Sequence, residues 1–473
     1  MGTTNFAIKA FASLLSLFSI TRITDAQPNM IFYLADDQDI YDYGFNGNDQ
    51  VNTSAVDRLA EEGMEFTQAF TPQTISAPSR SALYTGKYPV NNGCYMNHIS
   101  VKPGQKSIAQ YLQDLGYEVI LAGKSHVGPS SVFQWDRRWK SESHPNKTRA
   151  GAPLDSIKAY FQKTDQPFCM FIASKFPHGP YPEVQNPDPD DYVFHPFEEN
   201  RKNDPDYIKR KAGYYKNIEN DNQQLEQILQ WTGQYLSENT LFIYSADHGI
   251  SGKFTLYDRG LHVPFVVRWS KVIEPHSQSD VMINYTDVLP TFIDAAGGEL
   301  PEDIDGKSFL HVLKGKNRNI HQYVYGVQTK QNIRETAIFP SRMIRSKEYK
   351  YIRNFNSLEV AGNNIKDNNY VNAFIMMGAA KFKHIPHEEL YHLKKDPYEQ
   401  NNLADSPKYQ KIKAELAEKL NEWLREQDDF ILEDQAPLLK PTLHTLDEES
   451  RFHSVPDYLI NTIPEDEYRK AHY

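Results

Sequence analysis

Cysteine is almost missing from this chain: Cys94 and Cys169 are the only two among 473 residues. Two thiols make neither a disulfide framework nor a thiolate metal site, and buried free thiols fit better than a single bridge. Positive charge is also short. Lys and Arg number 51 against 62 Asp and Glu, a net charge of −11, which argues against a nucleic-acid-binding surface. An anionic substrate must then be held by a local basic pocket, because the overall field repels it. Long apolar runs are missing too, except at the start. There Lys9 precedes an apolar run at 10–20, and Thr24-Asp25-Ala26 offers the small residues a signal peptidase reads. The run is too short to span a bilayer as a stable helix, so residues 1–26 read as a secretory signal cleaved before Gln27. No later stretch reaches membrane-spanning length, and no Cys lies near the cleavage point to carry a lipid. The expectation is a periplasmic or secreted protein.

What is present is an ordinary globular composition, 39% hydrophobic and 24% charged, in a chain long enough for one large core and a smaller second one. Met30-Ile31-Phe32-Tyr33-Leu34-Ala35 is apolar throughout, as a strand buried on both faces should be. Further strands at 117–122, 168–173, 241–245 and 263–269 alternate with helices at 54–63, 108–115, 154–161 and 214–236. That alternation predicts an α/β fold, a mostly parallel sheet flanked by helices. The Pro- and Asp-rich stretch 187–206 reads as a long loop bordering the site. From residue 315 onward the style changes. Residues 343–345 and 349–352 have hairpin spacing, 389–393 begins a second hairpin, and 408–426 is an amphipathic helix. The expected organisation is a catalytic α/β domain at 27–330, a smaller antiparallel sheet plus helix at 331–429, and a surface-wrapping extension at 430–473.

Chemistry concentrates at four predicted strand ends. Asp36 and Asp37, Lys124 and His126, His178, and Asp247 and His248 each follow a strand, at the edge where open α/β sheets place ligands. Taken singly, adjacent Asp residues are turn formers and a lone His is a hydrogen-bonded structural residue. Four such clusters at one edge are a costly concentration of charge unless they hold a ligand. Asp36, Asp37 and Asp247 are hard oxygen donors suited to Ca²⁺ or Mg²⁺, and His248 keeps a transition metal open. Arg80, Lys124 and Lys253 supply positive charge for an oxyanion, while His126 and His178 can move protons near neutral pH. Ser76-Ala77-Pro78-Ser79-Arg80 runs on to Thr85-Gly86. Proline pushes the residue before it out of the helical region, so a helix is expected after Pro78, with Ser76 at or just before its N-terminus. Free N–H groups there favour anions. Arg80, one turn in, is expected to point back at the same spot as a planar fork for an oxyanion.

The string from Ser76 to Gly86 resembles the sulfatase signature, and the likeness spans nearly the whole chain after the signal. Leu34-Ala35-Asp36-Asp37-Gln38, Gly123-Lys124-Ser125-His126, Phe176-Pro177-His178-Gly179-Pro180-Tyr181, and Ala246-Asp247-His248-Gly249 with Lys253 and Tyr257 follow the family's order and spacing. Glu389-Leu390-Tyr391-His392-Leu393 with Asp396-Pro397 and Asn402-Leu403 resembles its second-domain motif. The resemblance implies an alkaline-phosphatase-like fold and formylglycine-dependent hydrolysis of sulfate esters. Ser76 would be oxidised to formylglycine by a maturation enzyme of the Ser-accepting type, and one hydroxyl of the hydrated aldehyde would attack sulfur. His178 is implied as the acid for the leaving alcohol, His126 as the base that frees sulfate, and Lys253 as a sulfate contact. Arg80 and Lys124 would hold the formylglycine and the sulfate. Asp36, Asp37, Asp247 and His248, with the Ser76 side chain, would ligate one Ca²⁺. Three positions depart from the common pattern: Ser76 for Cys, His248 for Asn, and Ser125 for Trp. The implied substrate is a sulfated polysaccharide or oligosaccharide, algal such as ulvan or carrageenan, or a glycosaminoglycan. Two other readings compete. A phosphodiesterase or phosphonate hydrolase of the same superfamily would want a two-metal site, whereas ligands for one metal can be counted. An inactive glycan-binding homologue would keep Ser76 unmodified, and the intact set of Lys124, His126, His178 and Lys253 argues against it.

Overall fold

The computed structural model describes residues 27–143, 150–316, 318–329, 339–360, 379–429 and 431. The signal segment 1–26, the domain boundary at 330/331 and, save Ile431, the extension 430–473 lie outside the described residues. Among the described residues the strands are β1 (Asn29–Asp36), β2 (Met64–Phe66), β3 (Ala69–Phe70), β4 (Glu118–Gly123), β5 (Arg137–Trp139), β6 (Phe168–Pro177), β7 (Thr240–Ala246), β8 (Phe265–Arg268), β9 (Ser277–Ser279), β10 (Ile283–Asn284), β11 (Val324–Gln328), β12 (Ser341–Arg345), β13 (Tyr349–Asn354) and β14 (Glu388–His392). Eight form one sheet in the order β5-β4-β6-β1-β7-β8-β2-β9, and four form a second in the order β11-β12-β13-β14. Strands β5, β4, β6, β1 and β7 run parallel, while β8 runs antiparallel to both β7 and β2. The second sheet is antiparallel throughout.

The unbroken apolar run of β1 is explained by its two faces. Met30, Phe32 and Leu34 enter one core, and Ile31, Tyr33 and Ala35 enter another on the opposite side. Strand β6 divides the same way, with Cys169, Phe171 and Ala173 on the first face and Phe168, Met170 and Ile172 on the second. Helices Leu154–Phe161 and Pro205–Tyr235 cover the second face, and helices Ser76–Thr85 and Val288–Ala295 cover the first. Cys94 and Cys169 are free, buried thiols. The second sheet packs on both faces: Met343, Ile352 and Tyr391 form a small separate core with Leu256 and Leu261, while the other face joins the large one. Ile344, Tyr351 and Leu390, with Leu416, Leu420 and Trp423 of helix Gln410–Glu426, belong to the same cluster as Phe32 and Leu34.

Three local expectations are corrected. The helix carrying Ser76 begins at Ser76, not after Pro78, with extended Ile75 as its cap residue. Proline is tolerated there because first-turn N–H groups have no intrahelical acceptor, so the missing one costs little. The long helix begins at Pro205 rather than at 214, because the Asp204 side chain accepts from Asp206 N and Tyr207 N and Pro205 occupies the first turn. Finally, 389–393 does not open a second hairpin. It is β14, which pairs antiparallel with β13 as the sheet edge. On its other side the Asn402 side chain accepts from Leu390 N at 2.9 Å and donates to Glu388 O at 3.1 Å, taking places a further strand would fill.

Candidate active site

Strands β4, β6, β1 and β7 are adjacent in the large sheet, so the residues that follow them share one edge. Register brings them together: Gly123 pairs with Ala173, and Ala35 with Ala246, while Asp36 sits opposite Pro177 across a bulge. Gly123 is required at its position. Its φ is +112°, and a Cβ there would lie 2.1 Å from the Ala173 carbonyl oxygen. Lys124 N donates to that same oxygen at 2.8 Å, which aims Lys124 into the edge. Asp37 turns off β1 in the left-handed region, and its N–H donates to Asp247 Oδ1 at 3.0 Å. The start of helix Ser76–Thr85 is tied to the same place, with Ser79 Oγ donating to Asp247 O at 2.7 Å.

Ser76 Oγ lies 3.4 Å from Asp36 Oδ1, 3.3 Å from Lys124 Nζ and 3.5 Å from His248 Nε2. All three contacts are long, so the hydroxyl is surrounded rather than locked by one partner. Lys124 Nζ reaches both oxygens of Asp36, at 2.7 and 2.9 Å, and Arg80 Nη2 reaches Oδ1 at 3.2 Å. Arg80 is wholly buried and also grips Asp247 Oδ2 through Nε at 3.2 Å and Nη2 at 3.1 Å. Its fork, expected to face an oxyanion, is committed to two carboxylates, and only Nη1 stays buried without a partner. Asp37 Oδ2 receives Lys253 Nζ at 2.7 Å and lies 3.6 Å from His178 Nε2. Three carboxylates thus meet three cations, and an unpaired buried ion would cost several kcal/mol. Burial works against the Asp37 carboxylate, but Lys253, His178 and His248 outweigh it and hold its pKa low. Burial likewise opposes the Lys253 ammonium, yet Asp37 raises its pKa. At Lys124 the balance tips the other way: burial, with Arg80 close by, lowers its pKa despite Asp36.

Two histidines differ in what they can reach. His178 Nδ1 is 2.7 Å from Gly179 O, an arrangement in which Nδ1–H donates and Nε2 is left toward Asp37. Its side chain is 35% exposed, open enough to meet a bulky group entering from solvent. His126 is buried, and its Nε2 lies 3.0 Å from Nδ1 of His98. Burial first, then the nearby Lys124 charge, holds its pKa well below the ordinary histidine value. No motif in the sequence marks His98, which sits 28 residues away on another loop.

Asp37, Asp247 and His248 are buried and offer ligand atoms within 4.8 Å of one another. Asp37 Oδ1 accepts no hydrogen bond although His248 Nε2 is 3.1 Å away. Two such lone-pair atoms facing each other form a setting that a bound cation relieves, and the oxygen-rich set suits a hard one. Asp36 stands outside this group because Lys124 and Arg80 occupy its oxygens. The stretch 187–206 also contributes: His195 and Phe197 pack on Tyr41, with ring centres 4.7 and 5.9 Å away, and Tyr398 joins them at 5.5 Å from Tyr41. Arg259 lies over Phe197 and Tyr257, at 5.0 and 4.9 Å from their ring centres, and makes no ion pair among the described residues.

Comparison with known proteins follows the same lines. The profile of the family described as Sulfatase matches residues 28–298, and that of the N-sulphoglucosamine sulphohydrolase C-terminal family matches 246–370. The chain is 53% identical over 447 residues to an ulvan-active sulfatase of Formosa agariphila, covering 93% of this chain and 90% of that protein. A solved structure of BT4656 in complex with its substrate D-glucosamine-2-N,6-O-disulfate superposes with TM-score 0.68 at 20% identity, covering 85% of this chain and 99% of that one. The phosphonate monoester hydrolase of Agrobacterium radiobacter shares the fold, with TM-score 0.65 at 18% identity over 91% of this chain and all (100%) of that one.

Proposed function

The chain belongs to the sulfatase family and is a sulfuric ester hydrolase; from that premise we propose that it removes sulfate from a sulfated polysaccharide or its oligosaccharides outside the cytoplasm. The observation that carries the reading is the placement of Ser76 Oγ among Asp36, Lys124 and His248 at the start of a buried helix. Ulvan is the first candidate substrate, given the activity named for the 53% identical relative; carrageenan and glycosaminoglycan sulfates stand next. Export rests on the signal read at 1–26, and no helix among the described residues is long and apolar enough to cross a membrane.

In this reading Ser76 is oxidised by a Ser-accepting maturation enzyme to formylglycine, whose hydrate supplies one hydroxyl to attack sulfur and a second to release it. Asp37, Asp247 and His248, with Asp36 and Ser76 beside them, would hold Ca²⁺, which would supply Lewis-acid chemistry toward a bound sulfate. The chain's own groups do the rest. Lys124 steadies the Ser76 side chain against Asp36 and adds positive charge. Arg80 fixes Asp36 and Asp247 and adds positive charge near the oxidised side chain. Lys253 meets a sulfate oxygen. His178 as the imidazolium gives its Nε2 proton to the departing alcohol, and His126 takes a proton at its unpartnered Nδ1 when sulfate is released.

The one described group of three acid or His ligands suits this chemistry better than the two-metal site that phosphoryl transfer on the same fold would want. Sulfate release, measured by ion chromatography on ulvan, carrageenan and glycosaminoglycan oligosaccharides, tests the substrate class. Release from at least one is expected, with ulvan fragments fastest. No release from any of them by protein whose Ser76 has been converted would overturn the assignment to sulfated glycans.

A further inference from the structure

The pairing of His126 with His98 has no part in the chemistry above, and it is unusual in its backbone. Both residues lie in the left-handed region, His98 at φ 64° and His126 at φ 56°, where a residue other than glycine carries a strain of order 1–3 kcal/mol. The two loops that hold these conformations bring Nε2 of His126 to 3.0 Å from Nδ1 of His98, with ring centres 4.6 Å apart. His126 is buried, and its other nitrogen, Nδ1, has no hydrogen-bond partner. His98 is only half-buried.

We propose that His98 is a positioning residue that holds neutral His126 in the tautomer protonated at Nε2, keeping the Nδ1 lone pair available as the base of the Ser76 site. The inference rests on the reading of Ser76 chemistry given above for the base's task, but not for the tautomer itself. One proton lies between Nε2 and the facing Nδ1. If it belonged to His98, the proton of neutral His126 would sit on Nδ1 as a buried N–H without an acceptor, at a cost of about 1–3 kcal/mol. A bare lone pair at that place costs less. His126 therefore donates through Nε2, and neutral His98 carries its own proton on Nε2. A histidine's reactive nitrogen is set by the bond its other nitrogen makes, and here that bond is supplied by a second imidazole.

The arrangement also manages charge. The groups acting on His126 are Lys124, His98 and Arg80, which oppose a positive ring, and Asp36, which favours one. When His126 accepts a proton, an N–H bond forms at Nδ1 and the ring becomes imidazolium. Its Nε2–H···Nδ1 bond to His98 then becomes charge-assisted and shorter, which partly offsets Lys124 and Arg80. When the proton leaves Nδ1 again, both rings return to their starting tautomers. No net transfer to His98 is needed.

The test is long-range proton–nitrogen correlation spectroscopy on protein labelled with ¹⁵N-histidine, with the His126 signals assigned by their loss in His126→Asn. The wild-type protein should show His126 protonated at Nε2 and bare at Nδ1. In His98→Ala the two tautomers should mix, and kcat on a sulfated oligosaccharide should fall about 10- to 100-fold, the range for groups that orient a reactive ligand. KM should stay near its original value. His98→Gln, which keeps an acceptor, should recover the tautomer and part of kcat, whereas His98→Leu should not. Finding His126 protonated at Nδ1 in the wild type overturns the proposal, even if the variants fail to fold. Unchanged tautomer and kcat in His98→Ala overturn it as well. The spectrum needs no turnover, so a correct tautomer in a protein that hydrolyses no sulfate would refute the proposed function and leave the pairing intact.

Discussion

Around Ser76, individual side chains carry separable tasks, and His178 is the one most open to test. Its Nδ1–H donates to Gly179 O while Nε2 faces Asp37, so the imidazolium form can give its Nε2 proton to a leaving alcohol without changing its orientation. His178→Ala should slow hydrolysis of a natural sulfated glycan roughly a hundredfold or more, the scale of general-acid catalysis. An activated aryl sulfate, whose leaving group needs no proton, should lose far less; equal losses on both substrates would remove His178 from the acid role. At this scale much could be read from the sequence. Asp36, Asp37, Lys124, His178, Asp247 and His248 were visible as polar residues after apolar strands, and parallel register brings those ends together. Arg80 was visible, but its partners were not. Whether a guanidinium faces a ligand or two buried carboxylates depends on packing 44 and 167 residues away along the chain. His98 left no trace, because a contact across two loops has no periodicity to betray it.

At the scale of elements, buried ionic ties hold the pieces around the site, and two of them lend themselves to test. Arg342 of β12, wholly buried, binds Asp429 just after helix Gln410–Glu426 through both oxygens, at 2.6 and 3.0 Å. Arg342→Ala should cost about 3–5 kcal/mol in urea denaturation, because it strands a buried carboxylate. The paired change Arg342→Met with Asp429→Leu should recover much of that, and a double variant no better than the single one would contradict the ion-pair account. The second tie joins the 187–206 stretch to the long helix through Glu198 and Lys211, 2.9 Å apart, with Asp42 close by. Burial raises Asp42 to about 6, Lys211 pulls against this and Glu198 adds to it. The folded state then binds a proton that the unfolded chain has released between about pH 4 and 6, so stability falls as pH rises through that window and levels off above it. Asn at this position can still accept from Tyr215 OH and Asn48 Nδ2, as Asp42 does. The thermal advantage of Asp42→Asn over the wild type should therefore grow from about pH 4 to 6, by at most about 3 kcal/mol; an advantage independent of pH would show that Asp42 is ionised throughout. Elements were legible where burial was two-sided, as in β1, and misread where local signals conflicted. Asp204-Pro205 is both a loop signal and a helix start, and Pro78 is a breaker everywhere except in a first turn.

The whole molecule is acidic, yet its site concentrates Arg80, Lys124 and Lys253 at one sheet edge. A polyanionic glycan approaching a surface of net charge −11 is repelled at long range and attracted only within the pocket. Salt screens the first effect more than the second, since the screening length falls from about 30 Å at 0.01 M to about 10 Å at 0.1 M. Association with a sulfated polysaccharide should accordingly speed up across that range in stopped-flow measurements, and a steady decline would place an attractive basic face on the outside. The central claim is that Ser76 is the precursor of the nucleophile. Peptide mass spectrometry across Ser76, on protein co-expressed with a Ser-accepting maturation enzyme and assayed in parallel for sulfate release, tests it most directly. The account predicts a peptide lighter by two hydrogens at Ser76, with sulfate release that scales with the converted fraction. Sulfate release from protein whose Ser76 is wholly unmodified would contradict it.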